Sequence, residues 1–62
     1  MNNLKLHREK LGLTQVQVAQ KTGMNERQYQ KYEYDKREPG VRMAVRIAKA
    51  LNTTVEELYP TD

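Results

Sequence analysis

The chain has 62 residues, a net charge of +3, one His, and neither Cys nor Ser. This composition excludes a second domain, a disulfide, a thiolate or His-rich metal site, and a Ser or Cys nucleophile. No apolar run predicts a transmembrane helix and no signal-peptide pattern is present, so we expect a cytoplasmic protein.

The first helix is predicted between two residues that commonly end helices. Asn3 can cap its N-terminus and Gly12 can end it in the left-handed conformation, so we expect a helix over about Asn3–Leu11. At about 100° per residue, one face of this helix consists of Leu4, His7, Arg8 and Leu11. The lone His7 is expected to pack there and not to sense pH.

Two closely spaced capping boxes predict the second and third helices. Helix 2 starts at Thr14, which pairs with Gln17 three residues later, and it ends at Gly23. Helix 3 spans about residues 26–34 and is capped by Asn25 together with Gln28. Their inner faces consist of Val18, Ala19 and Thr22 in helix 2, and of Tyr29, Tyr32 and Glu33 in helix 3.

A polar loop and two more helices complete the chain. Residues 35–39 form the loop, and helix 4 is expected over about Val41–Leu51. A short helix 5 follows a third predicted capping box, Thr54 with Glu57. The inner face of helix 4 consists of Val41, Ala44, Ile47, Ala48 and Leu51. No stretch alternates with the period of a strand, so the sequence predicts one all-α domain over residues 1–62.

The charge is unevenly placed along these elements. Residues 1–50 contain all eleven Lys and Arg with five acids, for a net charge of +6, whereas residues 51–62 contain three acids and no base. A basic body with an acidic end suits a polyanionic partner. A solvated surface without a partner explains the charge pattern equally well.

Helices 2 and 3 are joined only by residues 22–25, which suits the tight crossing of a helix-turn-helix. In that motif the second helix enters the major groove of DNA. Arg can form two hydrogen bonds with guanine, Gln can do so with adenine, and Glu can accept one from cytosine. The outer side and first turn of helix 3 therefore supply five candidate base-reading residues, namely Glu26, Arg27, Gln28, Gln30 and Lys31.

Seven stretches, taken in order and spacing, carry a family resemblance: residues 4–15 (LKLHREKLGLTQ), 18–19 (VA), 23–25 (GMN), 32–33 (YE), 36–39 (KREP), 47–51 (IAKAL) and 55–59 (VEELY). Over nearly its whole length the chain resembles the phage-repressor/Cro-like (XRE-type) helix-turn-helix family. The resemblance implies a compact five-helix, lambda-repressor-like domain of a bacterial or phage transcriptional regulator. It also implies a homodimer on a near-palindromic, double-stranded operator.

The resemblance also implies which residues contact the DNA backbone. Gln15 matches the family's phosphate-contacting glutamine, which often braces the first residues of helix 3 as well. Tyr34, Lys36, Arg37 and Arg42 fall on or near the backbone-contacting loop and the start of helix 4. Tyr34 could instead simply lie on the surface. The family often has Asn-Gly where this chain has Tyr34-Asp35, so the local turn stays open.

Two charged residues fall on inner helical faces. Arg8 and Glu33 would be costly to bury without a partner. We therefore expect them to pair with each other and to tie helix 1 to helix 3. We interpret this pair as structural and not as part of a DNA interface.

Three functional interpretations follow from these observations. The favoured one is a sequence-specific transcriptional regulator, a repressor, that acts without a cofactor, metal ion, membrane or small-molecule effector. The second is an antitoxin or restriction-controller regulator of the same family. The third is a protein-interaction module on the same scaffold. The cations Lys36 and Arg37 in the loop over residues 35–39, which we call the basic loop, and the polar helix 3 argue against this as its sole role. An enzyme is not expected, because paired catalytic carboxylates and a glycine-rich phosphate loop are both missing.

Overall fold

The computed structural model describes residues 1–61, which form five helices and no strand. Helices α1 to α5 span Leu4–Lys10, Gln15–Thr22, Glu26–Glu33, Val41–Ala50 and Val55–Leu58. α2 packs against both α3 and α4, α1 packs against α3, and α5 packs against α4. The predicted all-α, five-helix fold is confirmed. Within this part of the chain, every helix is too short or too polar to cross a membrane.

Both capping boxes predicted around the helix-turn-helix are confirmed. The Thr14 hydroxyl accepts a hydrogen bond from the N–H of Gln17 (3.1 Å), and the Gln17 Oε1 accepts one from the N–H of Thr14 (2.8 Å). Asn25 and Gln28 exchange the same two bonds, at 2.8 and 3.2 Å. Each box supplies partners for N–H groups that the helix itself leaves unpaired. Between the boxes, Gly23 ends α2 at a φ of +76°, a conformation that glycine adopts without strain.

A small core lies where α1 to α5 meet. Its buried side chains are Leu4, Val18, Ala19, Met24, Tyr29, Ile47, Ala48, Leu51 and Leu58. Tyr29 is the largest fully buried side chain, and among residues 1–61 its hydroxyl has no hydrogen-bond partner. Burial and the nearby Glu33 carboxylate raise the pKa of Tyr29 well above its usual value. This residue of α3 therefore stays neutral and fixes the inner side of the helix in the core.

Two residues assigned to inner faces are exposed. Leu11 is 45% exposed, because α1 ends at Lys10 and Leu11 already belongs to the turn before Gly12. Val41 is 82% exposed, because it begins α4 at the edge of an open groove and no other element covers it.

In residues 1–61, two predicted caps are only partly formed: Asn3 takes the N-cap position of α1 without a capping bond from its side chain, and Thr54 caps α5 without the full capping box. Asn3 has a φ of −109° and a ψ of 23°, away from the extended conformation that an N-cap uses, and its side chain forms no cap within the described residues. Instead, Asn2 Oδ1 accepts the hydrogen bond from the N–H of Leu4 (2.9 Å). The third capping box is only half formed. Thr54 accepts a bond from the N–H of Glu57 (3.2 Å), but no return bond is found in residues 1–61.

A bidentate ion pair joins α1 to α3. Arg8 Nε donates to Glu33 Oε2 (3.0 Å) and Arg8 Nη2 donates to Glu33 Oε1 (2.9 Å), with the two side chains 11% and 1% exposed. Arg8 Nη1 also donates to the carbonyl of Leu13 (2.8 Å). Burial alone would raise the pKa of Glu33, but the hydrogen bonds and charge of Arg8 hold it below its usual value. The charged pair therefore connects α1, the α1–α2 turn and α3.

Replacing Arg8 by Met should lower the free energy of unfolding by about 3–5 kcal/mol, because Glu33 would remain buried without its partner. Lys10→Met, a change at an exposed position of the same helix, is the control and should shift it by less than about 0.5 kcal/mol. Thermal and urea unfolding measure both variants. Equal unfolding midpoints for the two variants would show that the pair does not hold the helices together.

Candidate nucleic-acid interface

The outer side of α3 is exposed and carries free cations. Tyr29 and Glu33 are buried on the inner side of α3. Their burial fixes the direction in which the other side chains of this helix point. Four of the five predicted base-reading residues are exposed, namely Glu26, Arg27, Gln28 and Lys31. In residues 1–61, neither Arg27 nor Lys31 takes part in an ion pair. Their cationic groups are therefore available to an external partner.

Gln28 is partly committed to the fold. Its Oε1 accepts the hydrogen bond from the N–H of Asn25 that completes the capping box (3.2 Å). This bond turns the amide back towards the start of the helix. Gln28 is therefore less free to reach a base than Arg27, whose side chain is exposed and unpaired within the described chain.

Gln15 connects the buried ion pair to the outer side of α3. Its Oε1 accepts a hydrogen bond from Gln30 Nε2 (3.0 Å). Its Nε2 donates to the Tyr34 hydroxyl (3.0 Å) and to Glu33 Oε1 (3.3 Å). Both N–H groups of the Gln15 amide thus donate hydrogen bonds within the protein. A hydrogen bond from Gln15 to a phosphate would have to replace one of these two bonds.

The structure therefore brings three of the predicted DNA-contacting residues together as one cluster. In this cluster Gln15 braces Gln30 in the second half of α3 and Tyr34 directly after it, whereas the first residues of α3 are held by the capping box. Tyr34 is 56% exposed although its hydroxyl is bonded. The cluster fixes which way the Gln30 amide faces.

The turn after α3 resolves the question left by Tyr34-Asp35. The N–H of Asp35 donates to the carbonyl of Tyr32 (3.2 Å), and the N–H of Lys36 donates to the carbonyl of Lys31 (2.8 Å). This pair of bonds is a Schellman motif, in which the residue after the C-cap is left-handed. Asp35 has a φ of +58° and so takes the place that glycine would take.

The predicted backbone-contacting cations lie beyond this turn. Lys36 and Arg37 are exposed in the loop, and Arg42 is exposed in the first turn of α4. Among residues 1–61, none of the three takes part in an ion pair. All three cations therefore face solvent. Within the described residues, Arg42 forms no hydrogen bond with Gln15, Gln30 or Tyr34.

Sequence reasoning missed Asn2. Its Nδ2 donates to the carbonyl of Tyr32 (2.9 Å) and to Asp35 Oδ1 (2.8 Å), which lie 30 and 33 residues away along the chain. Local patterns of capping and periodicity carry no signal for bonds over such separations. Only the packing of α1 against α3 brings these groups together.

Comparisons with known proteins agree with this geometry. A family model described as helix-turn-helix matches residues 4–58, which include all five helices. A search of curated proteins finds no match.

Replacing Gln15 by Ala should lower the free energy of unfolding by about 1–3 kcal/mol, because Glu33 Oε1 loses one of its two hydrogen bonds and the Gln30 amide loses its partner. Gln20→Ala, at an exposed position of α2, is the control. Urea unfolding gives the stability, and the NMR shift of the Gln30 side-chain amide reports its release. If Gln15→Ala matches Gln20→Ala in stability and leaves that amide signal in place, Gln15 does not brace α3.

Proposed function

The chain belongs to the XRE/Cro/C1-type helix-turn-helix family of DNA-binding regulators, and from this premise we propose that it is a repressor that reads an operator with α3. The observation that carries this proposal is the exposed outer side of α3, where Arg27 and Lys31 have no ion-pair partner within residues 1–61. Lys36 and Arg37 lie in the loop directly after α3 and are exposed as well. Repression follows when the bound protein blocks access to a promoter.

Affinity comes from the phosphate backbone. Lys36, Arg37 and Arg42 neutralise phosphates and release the counterions condensed on the duplex, so binding weakens as salt is added. These contacts set the position of the protein on DNA but carry no sequence information.

Specificity comes from the side chains of α3. Arg27 pairs with a guanine edge and Glu26 accepts a bond from cytosine, each good pair contributing about 1–3 kcal/mol of discrimination. The Gln30 amide reads a third position in the direction that Gln15 fixes. Lys31, which is exposed further along the helix, contacts either a base or a phosphate at the edge of the groove.

A near-palindromic operator requires two copies, and we assign the apolar groove between α4 and α5 to the second copy. Val41 is 82% exposed at this groove, whose other walls are formed by Pro39, Ala44, Val45, Val55 and Tyr59. Glu38 and Thr61 complete the lining of the groove. A twofold contact covers the groove of each copy with that of the other, with half-sites roughly 34 Å apart.

Selection from random duplexes tests the assigned roles in α3 and the loop. Arg27→Ala should relax the base preference at one position of each half-site, because a bidentate contact is lost. Lys36→Ala should instead weaken binding to all sequences alike and reduce the salt slope by about 1, because only a phosphate contact is lost.

The unsubstituted protein should enrich a short near-palindrome in the same selection. If both variants change only general affinity, the assignment of α3 to base reading is wrong. If no duplex is enriched and binding is insensitive to salt, the proposal is overturned in favour of a protein-interaction module.

Val41→Lys tests the groove assigned to the second copy. The variant should unfold at the same temperature as the unsubstituted protein, because the side chain is already exposed. On a palindromic duplex it should bind as separate copies, because a charge would be buried at the dimer contact. Sedimentation with and without DNA measures the number of copies, and Leu6→Lys, at an exposed apolar position on α1, is the control. If both variants are equally dimeric without DNA and fill the two half-sites with equal cooperativity, the dimer contact lies elsewhere.

A further inference from the structure

We infer that Asn2 is a positioning residue for the basic loop, because it holds Asp35 in the left-handed conformation from which Lys36 and Arg37 follow. We call the hydrogen bonds of the Asn2 side chain the clamp. The inference rests on the proposed function, since it gives this clamp a role in DNA affinity. It does not rest on any contact between Asn2 and DNA.

The conformation of Asp35 is one that most residues avoid. Its φ of +58° places the Cβ close to backbone atoms, and a glycine would have no such conflict. Aspartate occurs there more often than most residues, because its short side chain can form hydrogen bonds nearby. The turn therefore depends on what the Asp35 carboxylate bonds to.

Asn2 supplies that bond and two others. Its Nδ2 donates to Asp35 Oδ1 (2.8 Å) and to the carbonyl of Tyr32 (2.9 Å), which also accepts the N–H of Asp35. Its Oδ1 accepts the N–H of Leu4 (2.9 Å), whose side chain is fully buried. One amide thus joins the start of α1 to the end of α3 and to the first residue of the loop. The ammonium group of Met1 lies 3.8 Å from Asp35 Oδ2, but this exposed pair adds little.

The loop cations depend on this turn for their placement. The N–H groups of Lys36 and Arg37 both donate to the carbonyl of Lys31, at 2.8 and 3.2 Å. In the described chain, no side-chain bond fixes either residue. If Asp35 left the left-handed region, both backbone bonds would break and the two cations would lose their common direction.

The experiment measures duplex affinity for Asn2→Ala and Asn3→Ala, alone and combined with Asp35→Gly. Asn3 is the matched control, because it is the same residue type one position along and its Nδ2 donates to the carbonyl of Glu57 instead. Affinities are measured on a fixed random-sequence duplex, at a temperature where circular dichroism shows every variant folded. The salt slope is measured with each variant.

Asn2→Ala should weaken binding about fivefold, the factor that corresponds to the one hydrogen bond that Asn2 donates to the Asp35 carboxylate, and should lower the salt slope. Asn3→Ala should leave both unchanged. In the Asp35→Gly background, Asn2→Ala should have almost no effect, because glycine adopts the turn without the clamp. Asp35→Gly also removes a negative charge near the DNA, so each comparison is made within one background.

Hydrogen exchange of the Lys36 and Arg37 amides tests the clamp without DNA. Exchange should be faster in Asn2→Ala than in Asn3→Ala and should return to its original rate with Asp35→Gly present. Equal exchange rates and equal affinities for the two Asn variants would overturn the inference. A loss of duplex affinity on Asn2→Ala that is just as large in the Asp35→Gly background would overturn it too. If exchange responds as expected but the unsubstituted protein binds no duplex, the clamp exists and the proposed function fails.

Discussion

The position of α3 depends on the buried pair of Arg8 with Glu33. A charge with so little exposure would destabilise the domain by several kcal/mol if its partner were removed, so α1 and α3 must stay together. The same Glu33 oxygen that bonds Arg8 also accepts a bond from Gln15, which in turn holds Gln30 and Tyr34. A continuous set of hydrogen bonds thus runs from the core to the outer side of α3. This set holds the outer side in one orientation before any partner binds.

Local features of the chain were predictable because their causes are local. The Thr14 and Asn25 caps follow from residue types three positions apart, and the pairing of Arg8 with Glu33 follows because both fall on inner helical faces. Periodicity gives the direction of a side chain but not the presence of a neighbour in that direction. For this reason Leu11 and Val41, at the two ends of helices, were wrongly assigned to the core.

The candidate site was predictable for its cations and less so for its amides. Within residues 1–61, the Arg and Lys side chains on the outer side of α3 form no ion pair, as their place on the helix indicates. Side-chain amides both donate and accept, so Gln15, Gln28 and Gln30 find partners inside the protein. The bonds of Asn2 connect residues more than 30 positions apart and arise only from packing. We therefore propose that Arg27, Lys31 and the loop contact DNA, together with Gln30 in the direction that Gln15 fixes.

The central claim is that the outer side of α3 and the loop after it form the surface that meets DNA. An NMR titration of the labelled protein with its selected duplex tests this most directly, because each backbone amide reports separately. We expect the largest shift changes at residues 26–31 and 35–37, with small changes at residues 46–50. Large changes in the second half of α4, with α3 unaffected, would contradict it.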